Sequence, residues 1–542
     1  MHSQLQSTQL LENNGETTPV ERTPLGYVDW DSETASNERV IMRAPLASRD
    51  RISRDQYVRI EDPLGSRSGF LGRIVGGPFF SPGEASPNHG SNGKEATTNP
   101  EVTIVAEIEL QGELVEGRPR VSKSRPLSRA VVQELSDAEV AKILGFSGDM
   151  VLGAVSGQEN IFFRLQSKNK SVLPRNIGIF GTVGSGKSNT AQVVIEEASA
   201  NGWAVIVLDV ESEYIEMDGP SAEKTLLRQL VPYDKNPGGI PDFQVYCPAS
   251  CASEREDTEP FTLRLADFES SVIGEILQTT VAERNALLDC IEHLVSRAKT
   301  KVATRESEGL QSLLNASPQA NLPFTLRSLK DRASERSSRS SDFFDYTGLS
   351  AKLMWLVQAA CFDQTSMRSL DPERMLTPGR VSVIDVSVAN DVIKNLVTAD
   401  LLRKVFAYKL ANDTAAPTLL VIEEAHSFIS REKGQTMQAT MQMLRNVARR
   451  GRKRWLSLAF VSQQPGHLPP EIFELCNTRI VHTLRSMHNL EALMSTAGEV
   501  GQEMWARCPL LGPGEAIVTS PQLKRPMIVT IRPAMSQRKF VR

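Results

Sequence analysis

From about Tyr27 to Leu165 the hydrophobic positions follow the pattern of strands. Tyr57, Val58 and Ile60 lead into a turn at Asp62–Gly65, and Phe70, Leu71, Ile74 and Val75 follow, broken by glycines. Val102, Ile104, Ala106, Ile108 and Leu110 recur at every second position, as one face of a half-buried strand requires. Between these runs lies S-P-G-E-A-S-P-N-H-G-S-N-G-K, a turn-forming loop. Short strands joined by glycine turns predict a small β-barrel.

Beyond Arg175 the pattern changes to short continuous apolar runs separated by helical periodicity, the signature of a buried parallel sheet. Ile177, Ile179 and Phe180 form the first run, and Ala191, Val194, Ile195 and Ala198 fall on one face of a helix after it. Further strands are expected at Trp203–Asp209, Arg380–Val386, Leu419–Glu424, Leu456–Val461 and Arg479–Leu484. A helix is expected over Leu396–Leu410, and Met437, Met441, Leu444 and Ala448 make the buried face of another. Ala516–Val518 and Met527–Ile531 read as a terminal hairpin. From about Leu265 to Leu356 the pattern is helical, with Leu287, Ile291, Leu294 and Ala298 in one stripe. The basic segment R-S-L-K-D-R-A-S-E-R-S-S-R-S-S-D-F-F inside it reads as a phosphate contact or, more simply, as a solvated connection.

These signals divide the chain into a polar tail (1–22), a β-barrel domain (23–166) and the first part of an α/β core (167–264). An inserted helical subdomain (265–356), the second core part (357–535) and a basic tail (536–542) complete it. The tail S-Q-R-K-F-V-R suits a brace onto a neighbouring subunit and simple fraying equally.

The length of 542 residues fits several domains, and 40% hydrophobic with 23% charged residues is ordinary globular composition. A net charge of −4 gives no global basic footprint, so any nucleic-acid contact must come from a local patch such as a ring lumen. Of six scattered cysteines only Cys247 and Cys251 are close, which favours reduced, buried thiols over a zinc site. The first residues lack a basic and an apolar region, and no stretch of about 18 apolar residues occurs. The expectation is a soluble, cytoplasmic protein without a membrane segment.

The chemistry concentrates at Ile177–Asn189, where Gly181, Gly186, Lys187 and Ser188 fill G-x-x-x-x-G-K-[ST]. An ordinary glycine-rich turn would match the pattern too, but the order strand, loop, helix favours a phosphate cradle. Backbone N–H groups of Gly181, Thr182, Val183, Gly184, Ser185, Gly186 and the residues through Asn189 would point at ATP phosphates. Lys187 would reach the β- and γ-phosphates and the Ser188 hydroxyl would sit on Mg²⁺. Asp209, Glu211 and Glu213, followed by Tyr214, end the second strand where ligands bind in open sheets, though a solvated loop would look similar. Glu423 and Glu424 end another apolar strand, one to order the Mg²⁺ shell and the next to polarise water. Gln463, at the end of the strand after them, is placed to sense the γ-phosphate. Arg445, Arg449 and Arg452 share one helix face within R-N-V-A-R-R-G-R-K-R. An arginine finger, a DNA-phosphate surface and a solvated face all fit that run.

G-T-V-G-S-G-K-S at 181–188, L-D-V-E-S-E-Y at 208–214, L-L-V-I-E-E-A-H at 419–426, R-N-V-A-R-R-G-R-K at 445–453, V-S-Q-Q-P at 461–465 and L-C-N-T-R-I at 475–480 occur in order. Together they resemble the HerA family of hexameric DNA-translocating ATPases, over residues from about 165 to the C-terminus. The resemblance implies a RecA-like P-loop core with an N-terminal HAS-like barrel and a helical insertion. It implies a homohexamer with ATP and Mg²⁺ between subunits and double-stranded DNA in the channel. Lys187 and Ser188 would bind triphosphate and Mg²⁺, Glu423 the metal, and Glu424 would activate water, with Gln463 as sensor. Arg449 or Arg450, with Arg175, would act across the interface, and Asp209 would belong to the nucleotide site. Family members commonly work with a nuclease such as NurA in end processing, and some with effectors in phage defence. Departures are Glu423 for the commoner Asp, and Glu211–Ser212 where relatives often have His-Gly. The alternative is an ATP-binding assembly scaffold that regulates a partner with little translocation.

Overall fold

The computed structural model describes residues 23–29, 38–61, 69–81, 102–115, 117–144, 146–306, 323–427, 438–498 and 500–539. Residues 1–22, most of the Pro/Gly loop (82–94), Met437 and 540–542 lie outside them. The chain divides into two compact units, 1–143 and 144–542.

In the first unit seven strands form one sheet: β1 (Gly26–Asp29), β2 (Arg39–Pro45), β3 (Tyr57–Glu61), β4 (Phe70–Ser81), β5 (Thr103–Val115), β6 (Arg118–Arg120) and β7 (Val131–Glu134). Their order is β2-β1-β7-β3-β4-β5-β6, and β2 also pairs with β5, so six of them close into a barrel. The alternation along β5 puts Ile104, Ala106 and Ile108, none of them exposed, inside with Val58, Ile60 and Ile74. β4 bends by register shifts against β5 between Ile74 and Phe79. Glycine is required at 72, because a Cβ there would lie 2.4 Å from the Ile108 side chain. A short helix α1 (Asp137–Leu144) follows β7.

The second unit is built on a twelve-stranded sheet. Its strands are β8 (Met150–Val155), β9 (Gln158–Leu165), β10 (Ile177–Phe180), β11 (Ala204–Asp209), β12 (Phe243–Pro248) and β13 (Glu259–Phe261). They continue with β14 (Val381–Asp385), β15 (Thr418–Ile422), β16 (Leu456–Ser462), β17 (Thr478–Val481), β18 (Glu515–Thr519) and β19 (Met527–Ile531). The order is β13-β12-β14-β11-β15-β16-β10-β17-β18-β19-β8-β9, parallel as far as β17 and antiparallel from β18 onward. The central strands are buried along their whole length, which is why they read as unbroken apolar runs. Helix α2 (Lys187–Ala200) follows β10 directly.

The helical region between β13 and β14 contains Ser270–Ile276, Val281–Glu306, Leu326–Glu335 and Tyr346–Gln358. Thr325 and Ser328 exchange side-chain and backbone hydrogen bonds in a capping box that starts Leu326–Glu335. The basic Ser/Arg run is therefore the capped helix Leu326–Glu335 and a short 3-10 turn, Ser337–Arg339, that leads toward the Asp345 cap of Tyr346–Gln358. All six cysteines are free and five are buried.

Two boundaries differ from the sequence expectation. The barrel sheet ends with β7, whereas residues up to 166 had been assigned to it. β8 and β9 instead extend the core sheet through β19, a strand about 370 residues further along the chain. The described part of the basic tail, Ser536–Lys539, read from sequence as a brace or simple fraying, packs on its own chain. Gln537 N donates to Gly219 O at 2.7 Å and Lys539 N to Glu213 O at 3.2 Å. Gln192 Nε2 donates to Ser536 O at 2.9 Å.

Candidate active site

The loop from Gly181 to Gly186 joins the carboxyl end of β10 to α2. Gly184 and Gly186 take φ values of +75° and +106°, and a Cβ on Gly186 would lie 3.0 Å from the Gly514 backbone, so neither position tolerates a side chain without strain. At Gly181 a Cβ would come within 2.7 Å of His482. Thr182 N donates to Thr483 O at 2.9 Å, and Gly514 N to Ser185 O at 2.9 Å, so neighbouring segments fix the loop from both sides. Val183 stands 81% exposed at its tip. No side chain caps the start of α2, which leaves its first-turn N–H groups facing the loop. Such donors, with the helix dipole behind them, form an anion site.

The same sheet edge gathers the other polar groups. Lys187 Nζ reaches Glu424 Oε1 at 2.5 Å, with both side chains 5% exposed. Gln463 Nε2 donates to the same oxygen at 2.7 Å, and His426 Nδ1 lies 3.1 Å from Glu424 Oε2. Burial alone would raise the Glu424 carboxyl, but His426, Lys187 and Gln463 outweigh it and hold the group at about 2. Glu424 is therefore an ionised carboxylate, whose basicity would rise once Lys187 turned to another anion. Its φ of +42° turns the chain sharply at the end of β15 and aims the side chain across β16 toward Lys187.

Glu423 and Asp209 face differently. Glu423 is fully buried, and neither of its carboxyl oxygens has a hydrogen-bond partner within normal reach. Burial, then Asp209 and Glu213 nearby, push its pKa well above the carboxylate range, with Lys187 pulling the other way. Asp209, expected at the nucleotide, spends its carboxylate on its own loop. It accepts from Tyr214 N at 2.9 Å and from Glu211 N and Glu213 N at 3.2 Å. Burial raises it to about 7 against those hydrogen bonds. It shapes the acidic loop from below, three strands away from β10.

These residues can be tested against the Mg²⁺ that a phosphate loop implies. Magnesium takes few protein ligands, a hydroxyl or carboxylate beside phosphate oxygens and water. Ser188, on the first turn of α2, and the two orphaned oxygens of Glu423, once the cation displaces the carboxyl proton, would supply such donors, so the residues fit. Among the described residues no cluster of three or more acids, histidines or cysteines forms a metal cage. That suits a metal held largely by its nucleotide.

The candidate arginines lie elsewhere. Arg175 precedes β10, and Arg449 and Arg450 end the helix Gln438–Arg450 just before β16. β10 and β16 are parallel, with Ile177 beside Ala459 and Phe180 beside Ser462. Asn176 ties the two approaches together, donating from Nδ2 to Ala448 O at 3.2 Å and accepting at Oδ1 from Leu458 N at 3.0 Å. All three arginines thus stand at the amino edge of the sheet and the phosphate loop at the carboxyl edge. The four residues of β10 put roughly 13 Å between those edges. Arg449 and Arg450 are exposed.

Two contributors escaped the sequence reading. His482 is fully buried under the loop, its Nε2 2.7 Å from Thr190 Oγ1 and its Nδ1 2.9 Å from Glu515 O. A carbonyl only accepts, so Nδ1 carries the proton and Nε2 accepts from Thr190. Burial lowers its pKa to about 4, which keeps the ring neutral. A lone histidine in an apolar strand carries no local signal. His426 was quoted only as part of a motif, although its contact with Glu424 follows from sitting two residues beyond it.

Comparison with known proteins agrees with this geometry. The family model described as the central domain of the helicase HerA matches residues 150–405. The DNA double-strand break repair helicase HerA of Sulfolobus acidocaldarius is 22% identical over 75% of this chain and 73% of its own length. That of Pyrococcus furiosus is 23% identical over 79% of this chain and 77% of its own. Among solved structures, VirB4 of Thermoanaerobacter pseudethanolicus superposes with a TM-score of 0.50 at 17% identity, over 71% of this chain and 96% of that one. A matched central domain, relatives aligned over most of both chains and a P-loop core of the same fold point one way: residues 150–405 match a HerA central domain, the chain is similar to HerA helicases over most of its length, and it is an ATP hydrolase.

Proposed function

We propose that the protein is an ATP-driven translocase of double-stranded DNA that works as a homohexamer with nucleotide between its subunits. The observation that supports this most directly is the separation of charge across the core sheet. A triphosphate on Lys187 has Glu424 and Gln463 beside it, whereas the candidate arginines Arg175, Arg449 and Arg450 stand at the opposite edge of the sheet. Arg449 or Arg450, with Arg175, would come from the neighbouring subunit, an arrangement worth on the order of 10³–10⁵ in rate where arginine fingers operate.

In this reading incoming ATP draws Lys187 onto its β- and γ-phosphates and frees Glu424. The Glu424 carboxylate then takes a proton from water as its oxygen bonds to the γ-phosphorus. The bond from that phosphorus to the bridging oxygen breaks and ADP leaves. Gln463 holds Glu424, and hence the water, in line. Ser188 and Glu423 would hold Mg²⁺, which would neutralise charge on the phosphate oxygens.

The described residues assemble no nuclease-like metal cluster, so any cutting is assigned to a partner, a NurA-like nuclease or a phage-defence effector. No described helix is long and apolar enough to cross a membrane, so no membrane anchor enters the proposal. Displacement of a protein roadblock from duplex DNA tests the motor. ATP-dependent clearance that Lys187→Ala abolishes is expected. Hydrolysis without clearance would favour the scaffold reading.

A further inference from the structure

Along α2, Asn189, Gln192 and Glu196 lie on one face at i, i+3 and i+7 and hold the segment after β19 against the helix. Asn189 donates to Arg532 O and accepts from Ala534 N, both at 2.9 Å. Glu196 Oε1 accepts from Met535 N and Ser536 N at 2.8 Å, and Arg532 pairs with Glu196 and Glu197 at 3.0 and 2.8 Å with all three side chains buried. The other side of this strap is pinned to a second loop. Ser221 N donates to Met535 O at 2.9 Å and Ala222 N to Gln537 Oε1 at 3.2 Å.

Between helix, loop and strap lies a cleft of about 350 Å³, lined by Asn189 and Gln192, the loop Ser221–Glu223 and the strap residues Ala534 and Ser536–Arg538. We propose that this cleft is the nucleoside subsite of the ATP site, so that the C-terminal strap recognises ribose and purine. The proposal rests on the reading of residues 181–188 as the triphosphate cradle. At a rise of 1.5 Å per residue, Asn189 and Gln192 stand about 3 and about 7 Å along the helix from Lys187. A nucleoside attached to phosphates in the loop extends over that distance. The volume sits at the lower end of ligand pockets, which suits one nucleoside. The lining suits its chemistry too: hydroxyls and amides for ribose and ring nitrogens, the Glu223 carboxylate for hydroxyl or amino donors, and the planar Arg538 guanidinium for the face of a purine. Strap and phosphate loop share α2, so base recognition and phosphate binding act on one rigid element.

The test compares calorimetric binding of ATP and of inorganic tripolyphosphate to the full-length protein and to Ala222→Trp, which fills the cleft from an exposed loop position. The wild type is expected to prefer ATP at least tenfold. The variant is expected to lose at least tenfold for ATP and to keep its tripolyphosphate affinity within twofold. Equal wild-type affinity for the two probes, or unchanged ATP affinity in the variant, overturns the subsite. If the variant loses both probes, Arg538→Ala decides: a loss of threefold or more for ATP alone supports the subsite, and no loss overturns it. A wild type that binds neither probe defeats the triphosphate reading of residues 181–188 instead.

Discussion

At the carboxyl edge of the core sheet Lys187, Gln463 and His426 are each within hydrogen-bonding distance of the buried Glu424. At the amino edge Arg449 and Arg450 stand exposed at a helix end. One edge is wired within the chain and the other presents charge outward. The wired edge can bind and position, whereas in the proposed homohexamer the outward charge would serve a site on a second copy. The difference implies that changes at the two edges should fail in different ways.

The largest expected effect is at the wired edge. Lys187→Ala should abolish ATP hydrolysis, and it leaves Glu424 short of its buried counter-charge. Removing one partner of a buried pair costs about 3–5 kcal/mol, which a chemical denaturation curve would register. At the amino edge, alanine at Arg449, Arg450 or Arg175 should lower kcat by on the order of 10³ or more at whichever position acts. For the exposed Arg449 and Arg450, stability should stay within about 0.5 kcal/mol and ATP affinity should hold. A large fall in stability at either would contradict their outward role. Gln463→Ala should cost about 10²-fold in kcat with little change in KM, because it removes an orienting hydrogen bond from Glu424.

The smallest effect concerns the support beneath the loop. His482 has its pKa lowered to about 4 in the fold, against 6.5 when free. As pH falls through that window the unfolded chain binds the proton first, so stability present above pH 6.5 is lost toward pH 4. At 1.36 kcal/mol per unit the loss amounts to about 3 kcal/mol. Thermal melts of the wild type and His482→Gln should diverge over that range, with the variant the flatter of the two. Parallel curves would rule out a buried neutral histidine as the source.

Much of this architecture was legible in the sequence because it is local. The phosphate loop, the strands ending at Asp209 and Glu424 and the terminal hairpin all announce themselves within a dozen residues. What was not legible depends on contacts distant in sequence. Nothing in Met150–Leu165 says that it pairs with Val529–Ile531, so an alternating strand pattern was assigned to the nearer β-rich unit. The chain from Ser536 onward reads as a basic tail until Glu196 and Gln192 are seen to hold it. Asp209 sits where a ligand-binding acid belongs, and only the three N–H groups it accepts from reveal a structural duty. The placement of the arginines opposite the loop follows from parallel register, which motif order alone does not give.

The claim that each site is shared between two copies is tested most directly by mixing two inactive variants. Lys187→Ala lacks the phosphate contact but keeps its arginines; a protein with alanine at the active amino-edge arginine has the reverse defect. If the site is shared, co-assembled rings contain interfaces with an intact loop on one side and an intact arginine on the other. Steady-state hydrolysis should then reappear, to about a quarter of wild type at equal mixing if interfaces form at random and fire independently. A mixture that forms rings but hydrolyses no ATP would contradict the account.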